Sequence, residues 1–197
     1  LHSERRITEL KAVRCGEELA AAHGLELGDA SLGVQLGFMP TSELVALLDE
    51  ALDRWHGAEN GRLRILAGPS GVQWASDELL CGLAETARKH QSGVHIHLLE
   101  TRLQDAICRH RFGASAVRGL DGLGVLGPDT SLPHSVWLDE EGVEMVADRG
   151  SVVVHNPAAN LRLGSGRAPV SELLSRGATV ALGTDGSASS DNQDLWD

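Results

Sequence analysis

Val94-His95-Ile96-His97-Leu98-Leu99-Glu100 reads as a short apolar strand that ends on groups able to bind metal or move protons. Residues two apart on a strand share a face, so His95 and His97 point the same way, with His97 nearer the strand's C-terminal end. Glu100 has the opposite parity and joins them only if the strand has ended by Leu99. The pattern repeats downstream. His134 lies in the run Leu132–Leu138, His155-Asn156 closes Val152-Val153-Val154, and Asp185 follows Thr179–Leu182. In a closed parallel barrel all such strand ends meet at one mouth, where barrel enzymes place their chemistry. An open sheet gathers only the groups beside its switch point. Four successive strands carrying such residues favour the barrel.

The segments between them have helical period. From Thr41, read as an N-cap, Leu44, Leu47, Leu48, Ala51 and Leu52 recur at helix spacing. Ser76 caps a second helix bearing Leu79, Leu80, Leu83 and Ala87. Further helices are expected at Leu103–Arg111, Glu140–Asp148 and Pro169–Ser175. Strands are expected at Ser31–Met39, Arg62–Ala67, Val94–Leu98, Ser131–Leu138, Ser151–Val154 and Thr179–Leu182. Strands alternating with helices imply βαβ units and a parallel sheet. Periodicity alone leaves both a doubly wound sheet and an incomplete eightfold barrel open.

Composition narrows the classes. A formal charge of −11 over 197 residues argues against nucleic acid and anionic membranes as partners. No apolar run approaches the roughly 20 residues of a membrane helix. Cys15, Cys81 and Cys108 are odd in number and lack metal-type spacing, which fits a reducing cytoplasm. The Gly164-Ser165-Gly166 loop lacks the fingerprint of a phosphate cradle. Leu1 stands where an initiator Met is expected, and a new segment begins at Asp191–Trp196, so the chain is expected to be part of a larger domain.

Taken in order, His97-Leu98-Leu99-Glu100-Thr101, Leu132-Pro133-His134, His155-Asn156-Pro157-Ala158-Ala159-Asn160-Leu161-Arg162-Leu163-Gly164-Ser165-Gly166 and Leu182-Gly183-Thr184-Asp185-Gly186 resemble the signature of the amidohydrolase superfamily. The likeness is to its branch of triazine hydrolases and of S-adenosylhomocysteine, methylthioadenosine, guanine, 8-oxoguanine and cytosine deaminases, and it covers about Arg62 to Trp196. The resemblance implies an α/β fold: an incomplete (β/α)8 barrel holding about strands three to eight, residues 1–197 being one partial barrel domain without its first strands and flanking β-sandwich.

It also implies a single divalent ion, Zn foremost and Fe second. His97 matches the fifth-strand ligand, Asp185 the eighth-strand ligand, His134 the sixth-strand His beside the reactive water, and Glu100 the acid–base carboxylate. The family's first-strand His-x-His is a different pair, because only three more strands separate His97 from Asp185 where seven should follow. His95 is then a second-layer residue. With two of four ligands present, this chain alone is expected to be inactive.

The chemistry suits these residues. A divalent ion lowers the pKa of water toward neutrality. Asp185 can accept its proton, His134 can hold the water, and Glu100 can protonate a ring nitrogen. The implied activity is hydrolytic deamination, or dehalogenation, of a small heterocycle such as a purine, pyrimidine or triazine, with that heterocycle and water as partners and a homo-oligomeric parent enzyme. Gln73 and Trp74 are candidates for substrate contact by hydrogen bond and stacking, with His155 and Asn156 beside them. One departure concerns Gly68-Pro69-Ser70-Gly71-Val72-Gln73-Trp74, which lacks the His that adenosine-type deaminases carry after Gly-Pro, and this argues against an adenosine-like substrate. The same stretch has no Lys, against a dinuclear dihydroorotase-like site. A barrel kept only for binding or assembly is the competing class.

Overall fold

A computed structural model of the protein describes residues 39–190 and 193–195. Cys15, the strand expected at Ser31–Met39 (all but its last residue) and three of the six residues of Asp191–Trp196 lie outside the described residues. The described residues form two compact units, one of residues 39–70 with Trp74–Val94, the other of Gly71–Gln73 with the described residues from His95 on.

In the first unit, α1 (Thr41–Trp55) buries Leu44, Leu47, Leu48, Ala51 and Leu52, the stripe of a one-sided helix. Pro40, not Thr41, is its N-cap, and the Pro40 carbonyl accepts the first bonds, from the Glu43 and Leu44 amides. α2 (Asp77–Lys89) starts as expected, with Ser76 Oγ accepting from the Leu79 amide at 3.1 Å. Asp77 and Glu78 lie at its positive end and Arg88 and Lys89 at its negative end. The two helices pack closely at Gly82, where a Cβ would fall 2.8 Å from Val45 Cγ2. Arg62–Ala67 is not a full strand: it makes one parallel bridge, Ala67 to Val94. Leu63 and Leu66 remain 40% and 50% exposed, so little burial holds a longer ladder together.

The sheet runs in the order β1 (Val94–His95), β2 (Thr130–Pro133), β3 (Val152–His155), β4 (Thr179–Leu182). β2 pairs with β3, and β3 with β4, in parallel. Beyond β1 the chain continues alongside its neighbours through parallel bridges from Gly71 to His97 and from Leu98 to His134. Parallel pairing needs crossovers, and helices supply them. α3 (Arg102–Phe112) and α4 (Ala116–Gly122) link β1 to β2, α5 (Glu140–Arg149) links β2 to β3, and α6 (Pro157–Arg162) with α7 (Val170–Ser175) links β3 to β4. The order never reverses. A doubly wound sheet reverses at its switch point, so the alternative left open by periodicity falls on the side of a barrel wall.

Burial follows strand parity. Ile96, Leu98, Leu132 and Val153 are fully buried, while His95 and His97 have the opposite parity to Ile96 and Leu98. Two differences from expectation bear on the site. The run read as a strand over Ser131–Leu138 stops at Pro133, because His134 and Ser135 take left-handed angles (φ 69° and 49°). The apolar run of β4 is exposed at Thr179 and Leu182, since β4 is last in the order and, among the described residues, pairs with β3 alone.

Candidate metal centre

Three strand ends deliver the central groups. His97 extends the line of β1. His134 follows β2, its amide donating to the Val154 carbonyl at 3.0 Å, and it is 1% exposed. Asp185 follows β4, with the Gly183 amide donating to the His155 carbonyl at 3.0 Å. Ligand atoms of His97, His134 and Asp185 all lie within 4.8 Å of one another. The two imidazoles stack, centroids 5.3 Å apart. On Asp185, Oδ2 accepts the Ser189 hydroxyl at 3.0 Å.

The backbone is strained where these groups turn inward. Leu99, His134, Ser135 and Asp185 all have positive φ, four of the seven such non-glycine residues among those described. Each costs about 1–3 kcal/mol, which the surrounding fold must offset. Leu99 (φ 48°) also resolves the parity question, because a left-handed residue there ends the alternation ahead of Glu100. Glu100 is half-buried at the start of α3, and its amide donates to Gln104 Oε1 at 2.6 Å. It is not one of the three converging groups.

Two imidazoles and a carboxylate are a donor set suited to Zn or Fe. Donors on one ion at about 2.1 Å stand roughly 3–4 Å apart. Atoms within 4.8 Å of each other therefore fit one ion, or one ion and its water.

The remaining sequence candidates are placed less centrally. His95 Nδ1 meets Ser131 Oγ at 2.7 Å, and its ring centroid is 6.5 Å from that of His97. Gln73 folds back over Gly71, which bridges to His97, and its Nε2 is buried without a partner. Trp74 is 63% exposed and belongs to the other unit. His155 and Asn156 are buried, and His155 Nδ1 has no partner. Burial holds the His155 pKa below the ordinary histidine value, with the Arg167 charge adding to the shift. A Cβ on Gly183 would fall 2.4 Å from Asn156 Oδ1, so glycine lets the end of β4 lie against that amide.

One residue escaped sequence reasoning except as part of a motif. Asn160 on α6 is fully buried, and its Oδ1 lies 2.8 Å from His134 Nδ1. The available signal was an asparagine one helical turn after Asn156-Pro157, but nothing in the spacing names its partner.

Parallel strands in sequential order, with two imidazoles and a carboxylate at their C-terminal ends, define an α/β protein of the (β/α)8 class. The chain belongs to the amidohydrolase family, whose family model matches residues 20–197. It is 43% identical over 143 residues to a 5'-deoxyadenosine deaminase of Methanosarcina mazei, covering 73% of this chain and 33% of that protein. The corresponding deaminase of Methanothermobacter thermautotrophicus is 36% identical over 195 residues, 97% of this chain and 42% of the relative. Among solved structures, atrazine chlorohydrolase from Arthrobacter aurescens, complexed with zinc, superposes with a TM-score of 0.75 at 34% identity, over 79% of this chain and 34% of that one. The chain thus spans between a third and about two fifths of the length of these relatives. The incomplete barrel anticipated from the sequence is the fold observed.

Proposed function

We propose that this chain supplies the metal-side half of a hydrolytic deaminase acting on a small nitrogen heterocycle, an adenosine-type purine first. The carrying observation is the convergence of His97, His134 and Asp185 within 4.8 Å at the strand ends. Curated relatives that are 5'-deoxyadenosine deaminases support the choice of purine. They outweigh the missing His in Gly68–Trp74 as a guide, since a substrate edge can be met by other polar groups such as Gln73.

His97 and Asp185 would hold the divalent ion, which when bound supplies Lewis-acid activation of water. The sequence contains one His-x-His, His95–His97, already placed in β1 and its extension, so the rest of the ion's shell falls to donors beyond these residues. Asp185 accepts a proton from the attacking water, and His134 orients that water toward the ring carbon. Glu100 protonates the adjacent ring nitrogen, which makes the carbon electrophilic; the proton taken up by Asp185 then passes to the departing amine, and the hydroxyl proton of the addition intermediate returns to Glu100. Water and an amino-heterocycle become the oxo-heterocycle and ammonia. His155 Nδ1 and Gln73 Nε2, buried and unpartnered, are groups a substrate edge could satisfy. We place the protein in the cytoplasm because Cys15, Cys81 and Cys108 are odd in number and lack metal-type spacing. None of the described helices is long and apolar enough to cross a membrane.

A second reading, hydrolytic dechlorination of a triazine by the same groups, has the likeness to atrazine chlorohydrolase behind it. The test is an ammonia- and chloride-release screen of the full-length protein with zinc, on 5'-deoxyadenosine, methylthioadenosine, guanine and a chlorotriazine. Ammonia from the adenosines is expected. Chloride release alone selects the second reading. No turnover of any of them, in protein carrying stoichiometric metal, overturns both.

A further inference from the structure

We infer that Asn160 is a positioning residue that fixes the tautomer and orientation of His134, leaving Nε2 as the bare nitrogen that faces His97 and Asp185. The contact is His134 Nδ1 to Asn160 Oδ1, 2.8 Å, between residues 1% and 0% exposed. A buried imidazole nitrogen beside an amide oxygen must carry the hydrogen, since an oxygen can only accept. With Nδ1 so engaged, Nε2 is the ring nitrogen left for His134 to offer to the three-residue cluster.

Both partners are held from several directions. The His134 ring stacks on His97 with 23° between planes, and its backbone is pinned by the Leu98 bridge and the bond to Val154. Asn160 sits within α6, its amide donating to the Asn156 carbonyl at 3.0 Å and its carbonyl accepting the Ser165 amide at 2.8 Å. At a site this buried, Asn160 Oδ1 is the acceptor that holds the hydrogen on Nδ1. Partners of this kind behind a site imidazole typically matter 10–100-fold in metal affinity or activity.

The tautomer itself depends on no metal and no substrate. Its consequence for turnover rests on the function proposed above. Long-range 1H–15N correlation spectra of the metal-free protein, with His134 assigned by comparison with a His134→Gln variant, report which ring nitrogen is bare. The expected result is a protonated Nδ1 and a bare Nε2, replaced in Asn160→Leu by averaged or inverted shifts. Asn160→Asp, which keeps an acceptor oxygen, restores the wild-type pattern. In full-length enzyme, Asn160→Leu should lower kcat roughly 10–100-fold with KM nearly unchanged, and Asn160→Asp should recover most of it. A bare Nδ1 in the wild type overturns the inference, as does an unchanged tautomer in Asn160→Leu. If Asn160→Leu fails to fold, the wild-type and Asn160→Asp spectra still decide it. An absence of deaminase activity with the expected spectra would refute the proposed function and leave the tautomer assignment standing.

Discussion

The imidazoles of His97 and His134 stack with centroids 5.3 Å apart, on strand ends joined by the Leu98–His134 bridge. His97 is assigned to the ion and His134 to the water, so the two substitutions should separate. In full-length protein, His97→Ala is expected to lower zinc content well below stoichiometric. His134→Ala should keep most of the metal while losing two or more orders of magnitude in kcat, the scale of a general acid–base group. Plasma mass spectrometry of dialysed protein beside an ammonia assay checks both. Equal metal loss in the two variants would make His134 a ligand instead.

Glu100 stands outside that cluster, at the turn made by Leu99. Glu100→Gln should therefore leave zinc near stoichiometric and reduce kcat by about 100-fold or more, because the amide has no proton to give a ring nitrogen. Near-normal turnover on the true substrate would remove Glu100 from the mechanism. Asp185→Asn, by contrast, should weaken both metal and rate.

Much of the site was legible because a metal-capable residue at the end of an apolar strand is unusual wherever it occurs. His97, His134 and Asp185 could each be marked that way, and β4 was delimited at Thr179–Leu182 as found. The turn at His134–Ser135 left no such trace, since a left-handed conformation at histidine and serine has no compositional signature. α4 was missed because it is short and carries Gly119 and Gly122. α6 was missed although Pro157 at its first turn is a helix-start signal. The Asn160–His134 contact joins two separate elements, and periodicity reports on one element at a time.

His155 predicts the direction of acid destabilisation. Its pKa is lowered by burial and then by Arg167, so the folded state favours the neutral ring. As pH falls through the ordinary histidine value of about 6.5, the unfolded chain takes up the proton first. Stability from this group is thus present above about pH 6.5 and is lost as pH falls toward the folded value. Urea midpoints at about pH 7.5 and pH 5 should differ more in wild type than in His155→Gln, since the glutamine cannot titrate. A wild-type curve no steeper than the variant's would show that the ring is solvated.

Gly183 offers a steric test of how tightly the end of β4 is built. An alanine there would put its Cβ 2.4 Å from Asn156 Oδ1 and 3.0 Å from Val154 Cγ1, both side chains of neighbouring β3 and its end. Its φ lies outside the left-handed range, so the penalty comes from crowding and not from backbone strain. Overpacking of this kind costs about 1–3 kcal/mol, or roughly 2–4 °C in Tm per kcal/mol for a chain of this size. Because Asp185 is two residues on, the displaced strand end should also loosen the metal. Gly68→Ala is the matched control: its Cβ meets nothing within 4 Å, and its φ is likewise unrestricted. That change should be neutral or stabilising by up to about 1 kcal/mol through the unfolded chain. Differential scanning calorimetry with metal analysis on the two variants should show a Tm loss and weaker metal retention for Gly183→Ala alone. If Gly183→Ala melts with the wild type, Asn156 does not pack against the end of β4, and the placement of Asp185 by that contact is wrong.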